Sequence, residues 1–101
     1  MSTGKLLLVY PSGASIEEVV TDKKGPSLET LQRVVGGYIE RIKVRYNDRT
    51  RDAYVNEDGI ARNLPYNGIA SRMTNGTIFA GANIIGVCAV WIPDPKRKEK
   101  M

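Results

Sequence analysis

Ser27-Leu28-Glu29-Thr30-Leu31-Gln32-Arg33-Val34-Val35-Gly36-Gly37-Tyr38-Ile39-Glu40-Arg41-Ile42-Lys43-Val44-Arg45-Tyr46 changes its hydrophobic period partway along. Leu28, Leu31, Val34 and Val35 recur at helical spacing. Ser27 offers an oxygen to a free amide at a helix start, Glu29 suits the positive end of the helix dipole, and Gly36-Gly37 supplies a left-handed stop. The pattern predicts a helix over Ser27 to Val35 with an apolar stripe that needs a sheet to cover it. After Tyr38 the period becomes two: Ile42, Val44 and Tyr46 alternate with Arg41, Lys43 and Arg45, as in a strand with one dry face and one wet face.

Working outward, Asn47-Asp48-Arg49-Thr50 reads as a hairpin turn and Arg51 to Asn56 as the returning strand. A turn centred on Asp48 and Arg49 sets Arg45 across from Asp52, Lys43 from Tyr54 and Arg41 from Asn56. Lys5 to Tyr10 is a buried strand stopped by Pro11-Ser12-Gly13, and Ser15 to Thr21 a second, partly exposed one. Pro65 and Asn67-Gly68 interrupt Arg62 to Met73, which predicts an ordered loop with one helical turn. Thr77 to Ile92, rich in β-branched and small residues with Gly81 and Gly86 inside, predicts one or two central strands. The expected fold is α+β: a small mixed or antiparallel sheet of about five to six strands with one main helix (27–35) packed on one face. Residues 1–92 form one such domain, and 93–101 a flexible basic C-terminal tail.

Composition narrows the function. The chain of 101 residues carries a net charge of +4, yet Met1 to Ile92 holds eleven basic against nine acidic side chains. A polyanion partner is compatible with that balance but not demanded by it. No apolar run approaches the roughly 20 residues of a membrane span, and one cysteine makes no disulfide, so a cytoplasmic setting without membrane contact is expected. Histidine is absent, which removes the commonest general base and the commonest metal ligand. Cys88, inside the apolar run Ile84 to Ile92, reads as a small buried hydrophobe. Glu17-Glu18 and Glu57-Asp58 are adjacent pairs, and neighbours on a strand point to opposite faces. Gly81 and Gly86 have the spacing of a phosphate loop, but Val87-Cys88 stands where such a loop needs Lys and Ser or Thr. No cofactor, metal or catalytic residue is therefore expected.

Two groups of residues are candidates for binding. Alternation sets Arg41, Lys43 and Arg45 on one face, with Arg49 and Arg51 at the nearby turn: either an anion platform or an ordinary solvated face. Asn56, Asn63, Tyr66 and Asn67 either line a pocket that reads the donors and acceptors of a nucleobase or sugar, or satisfy local backbone.

The helix segment ending in Val35-Gly36-Gly37-Tyr38-Ile39-Glu40, with Asn56-Glu57-Asp58-Gly59, Leu64-Pro65-Tyr66-Asn67 and the late Ile85-Gly86, resembles an uncharacterised domain family of phages, plasmids and their bacterial hosts. The likeness covers most of Leu6 to Trp91. It implies a mobile-element accessory protein, with no established functional residue to carry over. The leading expectation is a non-catalytic protein that binds a host protein or nucleic acid. The alternatives are a binder that sequesters a nucleotide-like signal and, more remotely, an enzyme. A free strand edge offers a route to a homo-oligomer.

Overall fold

The computed structural model describes residues 2–95. Its elements are β1 (Gly4–Val9), β2 (Ser15–Val20), α1 (Leu28–Val35), β3 (Ile39–Tyr46), β4 (Arg49–Asn56), α2 (Gly68–Met73) and β5 (Cys88–Pro93). Every strand pairing is antiparallel, in the order β2-β1-β5-β4-β3. The chain is thus α+β, mostly sheet, with two short helices.

The central strands carry apolar side chains on both faces because both faces are covered. On one, Leu6, Leu8 and Ala89 pack with Leu31 and Val35 of α1. On the other, Leu7, Val9, Ile42, Val44, Ala53, Val55, Cys88 and Val90 pack with Ala70 of α2 and with Ile84. The signals at the ends of α1 act as their chemistry dictates. The Ser27 hydroxyl accepts from the Thr30 amide, and Gly36 takes a left-handed φ of 82° while donating to the Gln32 carbonyl.

Three sequence expectations change. The hairpin turns at Asn47-Asp48, whose φ values of 51° and 61° make a two-residue turn of the kind that matches strand twist. Lys43 therefore faces Asp52, Arg45 faces Thr50 and Arg41 faces Tyr54, two residues away from the register expected of a turn at Asp48-Arg49. An even slip preserves which face each side chain occupies. Arg41, Lys43 and Arg45 remain on one face. Second, within Thr77–Ile92 only the segment from Cys88 is strand, central as expected between β1 and β5's other neighbour β4. The residues before it run through turns to Gly86, where φ is 82° and a Cβ would meet the Leu64 side chain at 3.0 Å. Third, the one helical turn expected between Arg62 and Met73 is found there and is longer, the six-residue helix α2 begun by the Asn67 cap. Of the expected tail, Lys96 to Met101 lies outside the described residues.

Candidate functional site

β3 is an edge strand, so its wet residues stand at the margin of the molecule. On the α1 side, Lys43 pairs with Asp52 across the hairpin and Arg45 Nη1 donates to Thr50 Oγ1 at 3.1 Å. Arg41 lies across from Tyr54, whose hydroxyl pKa is raised, chiefly by burial and then by Asp52, while Arg41 and Lys43 oppose the rise. Among the described residues neither Arg41 nor Arg45 has a carboxylate at ion-pair distance. A half-exposed pair such as Lys43–Asp52 contributes at most about 1 kcal/mol and does not lock the surface.

Arg49 and Arg51 belong to the opposite face, on the same side of the sheet as Val44 and Tyr46. The cover formed by α2 and its flanking loops stops short of this end, which leaves a concavity of about 460 Å³. Lys5, Tyr46, Asn47, Arg49, Arg51 and Ile92 form most of its wall. Lys5 faces Ile92 across the β1–β5 ladder, and its Nζ also meets Glu17 Oε2 at 2.9 Å. Arg51 Nε donates to the Tyr46 carbonyl at 3.2 Å, and its guanidinium lies 6.0 Å from the centre of the Tyr46 ring. Its pKa is lowered, first by burial and then by the neighbouring Arg49 charge. Lys5 and Tyr46 escaped the sequence reading. Alternation already set Lys5 on the face of Leu7 and Val9, but only the strand order brings it near Arg51.

The asparagines separate into two kinds. Asn56 is buried; its Nδ2 donates to the Val35 carbonyl at 3.1 Å and its Oδ1 accepts from the Asp58 amide at 2.7 Å. Asn67 is wholly buried, with Nδ2 donating to the carbonyls of Val9 and Gly86 and Oδ1 capping α2. These amides serve main chain rather than a pocket, and beyond the local role expected of them: each accepts from a nearby amide while its Nδ2 ties in segments distant in sequence. Asn63 sits exposed in a turn at a φ of 55°, and Tyr66 is exposed beside its bridge to Ile85.

Cys88 is fully buried, and desolvation pushes its thiol up to about 12. A thiol reagent should therefore leave it untouched in the native protein and label it only as the chain opens. The folded chain also keeps a proton that the unfolded chain releases above pH 9. This stability is fully present below pH 9 and declines as pH rises towards 12. Urea midpoints below pH 9 and at about pH 11 should show a larger alkaline loss in wild type than in Cys88→Ala. Glu17 and Glu18 diverge as expected, to Lys5 and to Arg33 of α1. Among the described residues no group of three or more cysteine and carboxylate side chains is placed to hold a metal ion. The Gly81–Gly86 segment leads into strand β5, whereas a phosphate loop opens a helix. No helix among the described residues is long and apolar enough to cross a membrane.

Residues 4–88 match the family model described as Domain of unknown function (DUF3846). The chain belongs to the DUF3846 family. The matched stretch holds Lys5 and the whole β3–β4 hairpin, so the basic surface lies within the DUF3846 domain itself. No curated protein and no solved structure matches the chain.

Proposed function

We propose that this chain is a non-catalytic binding protein whose β3–β4 hairpin receives an anionic macromolecule, nucleic acid foremost. One observation carries the reading: of Arg41, Lys43, Arg45, Arg49 and Arg51, only Lys43 has a carboxylate partner among the described residues. A merely solvated face gains solubility from alternating signs; here Arg41 and Arg45 on the α1 side, and Arg49 and Arg51 on the opposite side, have no carboxylate partner among the described residues, and guanidinium groups suit phosphate oxygens. In this reading the protein serves a mobile genetic element in its host's cytoplasm, as its resemblance to a phage and plasmid family supports.

The test is binding of single- and double-stranded oligonucleotides by the chain and by the double variant Arg41→Glu/Arg45→Glu, over a range of salt. The expected result is a steep fall of affinity with salt in wild type. In the variant the slope should be shallower by about 2, because each lost phosphate contact removes roughly one unit. Equal affinity and equal slope for the two proteins would rule out this surface.

The hairpin end carries a second reading, a small nucleotide-like ligand, favoured by the cleft between Lys5 and Arg51. Self-association through the other edge strand has its own support: among the described residues β2 pairs with a strand only on its β1 side, with Ile16 and Val19 55% and 67% exposed. Sedimentation equilibrium should show a concentration-dependent dimer that Ile16→Lys/Val19→Lys abolishes. A wild-type chain that stays monomeric at high concentration would end this part of the reading.

A further inference from the structure

We propose that the cleft walled by Lys5, Tyr46, Arg49 and Arg51 seats a phosphate monoester. The inference deepens the small-ligand reading given above and rests on it; it is separate from the α1-side stripe of Arg41, Lys43 and Arg45, because it concerns the opposite face of the sheet.

The cleft is built by four strands, β1, β5, β4 and β3, brought together in the folded sheet. β1 brings Lys5, β5 lays Ile92 beside it, and β4 brings Arg51, two residues along from the Ala53–Val90 pair. Across the hairpin, Arg49 pairs with Tyr46. Arg51 is held at two points, by its Nε bond to the Tyr46 carbonyl and by the Tyr46 ring beneath it. The terminal nitrogens of its fork keep donors for a second partner, and a fork fixed in advance loses little freedom on binding.

The electrostatics call for an anion. Arg49 is close enough that its charge disfavours that of Arg51, and neither meets a carboxylate at ion-pair distance among the described residues. The neighbouring carboxylates, Glu17 and Asp94, lie toward Lys5 and do not line the cleft. A phosphate dianion between the guanidinium groups turns that repulsion into two attractions and accepts the charge-assisted bonds that such forks form best. The remaining wall is Asn47, Ile92, Pro93, Pro95 and the Tyr46 ring, most of which offers an apolar surface to a sugar or base beside the charges. The volume of about 460 Å³ falls within the range of small-ligand sites.

Phosphate of this kind comes from a free mononucleotide or from the 5′ end of a nucleic-acid strand. Calorimetric titration separates the sources with four probes: adenosine, adenosine monophosphate, and one short oligonucleotide with and without its 5′ phosphate. A free-nucleotide site binds the monophosphate and not adenosine. A strand-end site binds the 5′-phosphorylated oligonucleotide more tightly than its 5′-hydroxyl twin, by about tenfold or more. In either case Arg51→Gln should lower the phosphate-dependent affinity by at least about tenfold, the usual size of a lost charged hydrogen bond. Arg49→Gln, at an exposed position, should do the same with unchanged thermal unfolding, which separates lost recognition from lost fold. Arg41→Glu/Arg45→Glu should leave monophosphate binding in place, so failure of the stripe and failure of the cleft are distinguishable. If neither phosphate-bearing probe binds better than its phosphate-free counterpart, or if both glutamine variants bind as wild type does, the proposal is wrong.

Discussion

Replacing Asn67 with alanine should remove about 4 kcal/mol of stability, a large part of what a domain of this size possesses. The amide is fully buried and ties three segments together. Its Nδ2 reaches the Val9 carbonyl at 2.9 Å and the Gly86 carbonyl at 2.8 Å, and its Oδ1 accepts the Ala70 amide at 3.0 Å. Truncation removes two bonds to carbonyls and one to an amide in a buried setting, and with them the cap of α2. A lost cap costs about 1 kcal/mol, and an unsatisfied buried group about 1–3 kcal/mol. Urea denaturation of Asn67→Ala measures the sum, with Asn67→Asp as a companion: aspartate keeps the cap but sets a carboxylate against two carbonyls. A loss below about 1 kcal/mol for both would mean that this junction is not a point of strength.

Gly4→Ala is expected to be nearly as damaging, at about 3 kcal/mol. A Cβ at Gly4 would stand 2.5 Å from the Ile92 carbonyl oxygen, 2.6 Å from Trp91 Cη2 and 2.9 Å from Pro93 Cα. Two of these atoms are backbone, so relief requires β1 to draw away from β5 rather than a side chain to swing aside. The same movement displaces Lys5 from Ile92, so phosphate-dependent binding should fall together with the melting temperature. A variant that melts as wild type does would show that β1 and β5 are less closely joined at this end than the structure has them.

What the sequence disclosed and what it withheld follow from the range of the interactions concerned. The ends of α1 were legible because Ser27 and Gly36 act on main-chain groups within four residues. The sidedness of Arg41, Lys43 and Arg45 was legible because alternation is local to one strand. The hairpin register depended on whether Asn47-Asp48 or Asp48-Arg49 makes the turn. Asparagine and aspartate tolerate the left-handed region better than arginine, which is the physical reason the turn falls one residue earlier at each end. The segment before Cys88 looked like strand because its composition suits one, yet the turns at Gly81 and Gly86 make it a cover for the sheet instead. The tasks of Asn56 and Asn67 were hidden for a different reason: their partners Val35 and Val9 are distant in sequence. The cleft was the least legible feature, since Lys5 approaches Arg51 only through the order β1-β5-β4.

The central claim is that recognition falls to the cations on the two faces of the β3–β4 hairpin, with Lys5 on the cleft side, and amide chemical-shift mapping during titration with a 5′-phosphorylated oligonucleotide tests it most directly. Shifts should concentrate on Arg41 to Arg51, Lys5 and Ile92, while α2 and the α1 C-terminus stay still. Shifts gathered on the β2 edge or α2, with the hairpin silent at saturating oligonucleotide, would contradict it.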